Sequence, residues 1–142
     1  MKVYIGPYRK NRRIDIRIDS YDTWSMDLTL SFIILPMLKQ LKETQHGSAL
    51  MPAHEQTSTS SVQYTFDFYA EDDKKAWEEG HKQWNEIMDH MIWTFEEQVK
   101  EVTDENYSFQ MLDLPTEKYL ARSDKMQEGY ELFGKYYRNL WD

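Results

Sequence analysis

Trp77-Glu-Glu-Gly-His-Lys-Gln-Trp-Asn-Glu-Ile-Met-Asp-His-Met-Ile-Trp-Thr-Phe-Glu-Glu-Gln-Val-Lys-Glu-Val102 is the stretch that decides the fold. Trp77, His81, Trp84, Met88, Met91, Phe95, Val99 and Val102 recur at steps of three and four, the repeat that lines side chains along one face of an α-helix. Asp72-Asp73 opens the segment, where negative charge suits the positive helix end, and Thr103-Asp104 closes it. The spacing predicts one helix of some thirty residues, roughly 45 Å long at the standard rise. An apolar stripe of that length has to be covered by other elements.

Two further helices are predicted to supply the cover. Upstream, Asp22 is placed as an N-cap for a run from Trp24 towards Thr44. Trp24, Leu28, Ser31, Leu35, Leu38 and Lys42 trace one side, while Phe32, Ile33 and Ile34 make the middle apolar all round. Such a helix is expected to be buried on most of its surface, with a kink at Pro36 and a left-handed cap at Gly47 after His46. Downstream, residues 103–115 read as a connection, and Thr116 as the cap of a last helix with Tyr119, Met126, Tyr130, Phe133, Tyr137 and Leu140 on one stripe. At the N-terminus, residues 1–5 and 14–18 read as two strands about a basic turn, with Ile14, Ile16 and Ile18 alternating against Asp15, Arg17 and Asp19. Period two places the isoleucines inward, and a lone hairpin must pack on something, which the following helix is expected to provide. Residues 47–61 read as a mobile loop and Val62 to Ala70 as a third strand. The whole is a single α+β domain over 1–142, with a small antiparallel sheet of two or three strands packed with three helices, one of them long.

Composition narrows the function. The chain has 142 residues, 17 Lys+Arg against 25 Asp+Glu, a formal net charge of -8 and no Cys. Absence of Cys removes disulfide scaffolds, thiolate-bound zinc, iron–sulfur clusters and thiol catalysis. Excess negative charge disfavours nucleic acid as a partner, because phosphate binding rests on Lys and Arg. The exception is local, since Arg9, Lys10, Arg12, Arg13 and Arg17 crowd the start of the chain. The longest apolar run, Phe32 to Leu38, is interrupted by Pro36 and falls short of the ~20 residues of a membrane span. No apolar leader precedes the first strand, so a soluble intracellular protein that engages no membrane is expected.

No constellation with specific chemistry is present. The histidines are His46, His54, His81 and His90, and Glu86 and His90 stand one helical turn apart, a spacing that can share a cation. There is no His-Glu-x-x-His, no Gly-x-Ser-x-Gly elbow and no phosphate-cradling glycine loop, and His81 reads as a core histidine. No catalytic residue, metal site or cofactor is therefore assigned. Two segments are richer. Asp19-Ser-Tyr-Asp-Thr-Trp-Ser-Met-Asp27 compresses acids, aromatics and hydroxyls into a strand-to-helix junction, which is either a capped helix over a packed Trp24 or a binding site. Tyr130 to Asp142 holds five aromatics, more than one helix face can hide, which suits either a stacking platform or a tail that closes the core. The candidate ligand- or partner-binding residues are Arg17, Tyr21, Asp22, Trp24, Asp27, His46, Lys135, Tyr136 and Trp141.

Several of these residues carry a resemblance. Asp22-Thr-Trp-Ser-Met-Asp-x-Thr-Leu30, Leu35-Pro-Met-Leu-Lys-Gln-Leu-Lys42, His46-Gly47, His81-Lys-x-Trp84, Met91-Ile-Trp-x-Phe-Glu96 and Leu132-Phe-Gly-Lys-Tyr-Tyr-x-x-Leu-Trp-Asp142 resemble a group of uncharacterised small proteins of tailed bacteriophages. The resemblance spans both helical regions and both chain ends, but not 49–72. It implies a context and no activity, namely a phage product acting in the host bacterial cytoplasm or carried in a virion. In that context the expected role is a non-enzymatic accessory protein that binds a host protein or sequesters a small ligand to counter a host process or defence. A metal-assisted hydrolase using helix His and Glu residues, or a virion structural component, are the alternatives. More apolar helix face than a small sheet can cover leads further to the expectation of a homo-oligomer.

Overall fold

A computed structural model describes residues 1–8, 10–45 and 71–141. The expected loop at 47–61, third strand at 62–70, Gly47 cap and His46 all lie outside the described residues.

The long helix is the axis of the fold. It runs over Glu71–Thr103 as α2, 33 residues, about 50 Å at 1.5 Å per residue. Two shorter helices lie antiparallel along its middle: α1, Met26–Thr44, and α4, Thr116–Tyr136. Their register is read from cross-helix contacts. On α1, Ser31 meets Gln98, Lys39 meets Glu96, Lys42 meets Asp89 and Gln45 meets Trp84. On α4, Arg122 meets Glu97, Phe133 meets Phe95 and Tyr136 meets Trp84. Between 84 and 98 the stripe of α2 is therefore covered from both sides. Leu38, Trp84, Met88, Met91 and Phe95 form the buried core, each such side chain stabilising the fold by about 1.5–3 kcal/mol relative to exposure. Outside that window the covering helices stop, and Trp77 and Val102 at the two ends of the stripe are exposed. The expected stripe is right in direction and too long.

Three further boundaries differ from expectation. The connection after α2 holds a fourth helix, α3, Glu105–Leu112, whose N-cap Asp104 accepts from the backbone N–H of Asn106 at 3.0 Å and of Tyr107 at 3.3 Å. Asp104 thus ends one helix and starts another, a cap satisfying donors that would otherwise lack a partner. The N-cap of α4 is Pro115 rather than Thr116, its carbonyl accepting from the N–H of Lys118 and Tyr119. Asp22 sits inside a 3-10 turn, Ser20–Thr23, and Ser25 is the N-cap of α1. The helix itself is continuous through Pro36.

Two larger differences concern what is left uncovered. The strands β1, Lys2–Ile5, and β2, Ile14–Arg17, pair antiparallel with Val3 opposite Ile16 and Ile5 opposite Ile14. Directly opposed residues share a face, so Val3, Ile5, Ile14 and Ile16 make one apolar face, continued by Ile18. That face was expected to lie on the first helix. It does not, for Ile14, Ile16 and Ile18 are 63%, 50% and 62% exposed, and the substantial packing is α1 on α2, α4 on α2 and α3 on α2. The first helix likewise buries one line, with Ser31 and Leu38 inward, and leaves Met26, Leu30, Phe32 and Met37 exposed. Its all-round apolar character is not matched by all-round burial, because α2 reaches only one side.

At the α2–α4 crossing the helices touch through Gly129, where an added Cβ would collide with Thr94 Oγ1 and stand 2.7 Å from Thr94 Cβ. Thr94 is fully buried and its Oγ1 donates to the His90 carbonyl at 3.0 Å, so it has little freedom to give way. Helix propensity favours Ala over Gly by about 1 kcal/mol, but overpacking opposes it by about 1–3 kcal/mol. Gly129→Ala is expected to lower the urea midpoint, and Gly129→Ala combined with Thr94→Ala to recover part of the loss. A raised midpoint for the single variant would show that the helices are not in contact there.

Candidate functional site

The junction between hairpin and α1 is a fixed turn that carries exposed aromatic rings. The Met1 ammonium lies 3.0 Å from Asp22 and 3.3 Å from Asp19, and Asp22 Oδ2 accepts the Asp19 backbone N–H at 2.7 Å. The backbone N–H of Asp19 and then the ammonium hold the Asp22 carboxyl below its ordinary range, and the hydrogen bond to Asp22 raises the amine. Tyr21 and Trp24 stand on this turn, 77% and 83% exposed, with ring centres 6.4 Å apart and planes 27° from parallel. Trp24 does not pack beneath the helix. Arg17, at the end of β2, faces solvent with Nε 3.7 Å from Asp15 Oδ1. Tyr21, Asp22, Trp24 and Arg17 thus share one region, whereas Asp27 turns inward to α2.

Asp27, itself exposed, reaches a polar cluster around the buried Ser31 and Gln98 that the sequence did not single out. Gln98 donates from Nε2 to Asp27 Oδ2 at 2.8 Å, and its Oε1 lies 2.6 Å from Ser31 Oγ and accepts from Tyr130 Oη at 3.0 Å. Each polar atom of the Gln98 amide has a partner, which a buried amide requires. Burial, with smaller contributions from the charges of Glu101 and Asp27, pushes the Tyr130 hydroxyl up. Beside it, Glu97 accepts from Tyr107 Oη, Arg122 Nε at 3.1 Å and Lys100 Nζ at 3.1 Å, and Arg122 Nη2 reaches Glu101 at 2.8 Å. Burial alone would raise the Glu97 carboxyl, but the hydrogen bonds from Tyr107, Lys100 and Arg122 outweigh it and hold the group below the ordinary glutamate range. The Arg122 guanidinium is held up against burial by Glu101 and Glu97, and burial followed by the bond to Glu97 pushes Tyr107 up. A carboxylate kept ionised and an arginine kept protonated, each saturated by the other, form a clamp tying α3 and α4 to α2. The one legible sign was spacing: Gln98 stands seven and fourteen residues after Met91 and Trp84, on the core line itself.

An apolar groove of about 740 Å³ opens between α1 and the end of α4, within the size range of small-molecule sites. Ile34, Met37, Leu41, Phe133, Tyr137 and Leu140 line it, with Gln40 and Thr44 among its few polar groups. Of the C-terminal candidates, Tyr136 is a core residue, packed edge-on against Trp84 at 5.4 Å, with Lys135 Nζ 5.0 Å from its outer face. Trp141 is exposed. The expected inward Tyr137 is instead exposed, because the helix tightens to a 3-10 turn over Tyr137–Asn139 and shifts the register.

The histidines are engaged elsewhere. His81 stacks on Trp77 at 5.4 Å and 3°, with Nδ1 buried and unpartnered. His90 Nε2 lies 2.8 Å from the Lys125 carbonyl. Among the described residues no group of three His, Asp or Glu is placed to hold a metal ion, and no described helix is long and apolar enough to cross a membrane.

Because the Glu97 pKa is lower folded than unfolded, its contribution is complete above the ordinary glutamate value and is lost as pH falls through the folded one. Denaturation midpoints measured from neutral pH downward are expected to fall more steeply for the wild type than for Glu97→Gln. At neutral pH that variant is expected to be weaker by about 1–3 kcal/mol. Parallel pH profiles would contradict the clamp.

Compared with known proteins, the chain is matched by no protein-family model, by no curated protein and by no solved structure.

Proposed function

We propose that this protein acts by binding, as a non-enzymatic bacteriophage accessory protein that docks on a host protein in the bacterial cytoplasm to counter a host process or defence. The observation that carries the reading is the pair Tyr21 and Trp24, largely exposed on a turn whose backbone is already fixed by Asp19 and Asp22. Tyr and Trp are the residues that most often dominate protein interfaces, since they bury large area at low entropic cost. A preset turn removes a further part of the ordering cost of binding. The acidic body bordering the turn, with Asp19 exposed at its edge, suits a partner with a basic rim. The phage setting rests on the sequence resemblance, and the same reading has the protein work as a homo-oligomer.

The groove beside Phe133 and Leu140 favours a second form of the same role, sequestration of a small apolar ligand. The catalytic alternative has less support, because the polar cluster at Glu97 and Gln98 is internally satisfied.

Tyr21→Ala with Trp24→Ala tests the docking. Both side chains are exposed, so the melting temperature is expected to stay close to wild type. Capture of a defined host protein from infected-cell lysate, quantified against wild type, is expected to fall at least tenfold. Equal capture by variant and wild type would remove the turn from the interface. If Leu140→Trp abolishes function while the turn variant retains it, the ligand form of the role replaces docking.

A further inference from the structure

The net charge of -8 averages two unlike parts of the chain. Residues 1–17 hold six Lys and Arg against one Asp, and the remainder holds eleven against twenty-four. The basic part is the hairpin, and its pairing sorts the side chains. Lys2 stands opposite Arg17 and Tyr4 opposite Asp15. The bond from the Gly6 N–H to the Arg13 carbonyl carries the register one step further. Opposed residues share a face, so Lys2, Tyr4, Arg13, Asp15 and Arg17 lie together on the side away from the isoleucines. The Tyr4 ring leans along this face towards Gly6, with the Arg13 guanidinium 5.9 Å from its centre.

The tip of the hairpin repeats the combination. Arg12 donates from Nε to the Gly6 carbonyl at 2.7 Å, which fixes the turn, and its guanidinium stands 5.8 Å from the centre of the Tyr8 ring. Tyr8 is 93% exposed, and Lys10, Arg12, Arg13 and Arg17 are exposed too. Arg13 and Arg17 lie 3.6 and 3.7 Å from Asp15, longer than a hydrogen bond, so a closer acceptor can take their N–H groups. The acids at the base of the hairpin, Asp19 and Asp22, are engaged by the Met1 ammonium. About 13 Å of strand separates Lys2 from Gly6, more than the ~8 Å over which an exposed charge is felt at physiological salt.

Cations interleaved with open aromatic rings match two features of a single-stranded nucleic acid at once. It carries a phosphate at every nucleotide, and its unpaired bases have free faces. A guanidinium beside a ring can take the phosphate of a nucleotide whose base stacks on that ring. A duplex hides its base faces, and an acidic peptide offers carboxylates without bases. We propose that the hairpin binds single-stranded nucleic acid, with phosphates on Lys10, Arg12, Arg13 and Arg17 and a base on Tyr8. None of these observations uses Tyr21 or Trp24, so the proposal stands apart from the docking role.

Fluorescence anisotropy of the full chain with a labelled oligothymidylate is the test. Four phosphate contacts on a single strand correspond to a slope of log affinity on log salt of about -3. Affinity is then expected to fall roughly fiftyfold between about 50 and 200 mM salt. Lys10→Gln combined with Arg13→Gln is expected to halve that slope and to weaken binding tenfold or more, with helical circular dichroism kept. Tyr8→Ala is expected to weaken binding about tenfold with the slope unchanged, and Tyr8→Trp to restore it. No binding at about 50 mM salt, or the double glutamine variant binding as wild type, would overturn the proposal. Duplex DNA or polyglutamate bound as tightly as the single strand would overturn it too. Wild-type affinity in Tyr8→Ala would reduce the contact to charge alone and overturn the stacking.

Discussion

One constraint organises this molecule: the stripe of Trp84, Met88, Met91 and Phe95 on a single long helix must be kept from water. Among the described residues no sheet performs that task. Two helices, each about two thirds the length of α2, do it by lying antiparallel over its middle, and their ends set the limits of the core. The polar contacts follow from the same geometry. At one end Gln45 accepts from the Trp84 indole at 2.9 Å. At the other, Ser31, Asp27 and Tyr130 converge on Gln98 where α1, α2 and α4 meet. A polar side chain on the core line is tolerable only with all its partners present, so Gln98 also fixes the axial register of the three helices.

The helical core is complete without the hairpin, and that separates the molecule into two parts with different physics. The body is held by burial, a close helix contact at Gly129 and a saturated ionic clamp at Glu97. The hairpin is held by its own ladder, by the Gly6 N–H to Arg13 carbonyl bond at 2.9 Å, and by the ion pairs of the turn. It spends apolar side chains on a face that is exposed among the described residues, and its basic charge is opposite to that of the body. In the proposed role the functional weight falls on the exposed turn of Tyr21 and Trp24 rather than on the buried polar clusters.

The α+β character and the helix face were legible from residue spacing. Steps of three and four around Met88 and Met91, and of two around Ile16, are local properties, and the structure keeps both periods. What was not legible is which faces meet. Alternation says that Ile14, Ile16 and Ile18 share a side, not that anything lies against it. The same holds for α1, where Phe32, Ile33 and Ile34 look like an enclosed helix although, among the described residues, α2 covers one side and the end of α4 borders only a groove beside it. Asp104 was read as a stop and also serves as a start, because one side chain can cap the helix that follows it. Of the candidate site, the exposed aromatic turn was visible as composition, whereas the inward roles of Asp27 and Tyr136 depend on Gln98 and Trp84, distant in sequence.

The central claim is that the helices form a self-sufficient core that does not depend on the hairpin. Hydrogen–deuterium exchange tests this most directly. Amides of residues 84–98 are expected to be strongly protected, those of β1 and β2 to exchange far faster, and Ile16→Asp to leave the protection of 84–98 unchanged. Hairpin amides protected as strongly as the core, or core protection lost in Ile16→Asp, would contradict the account.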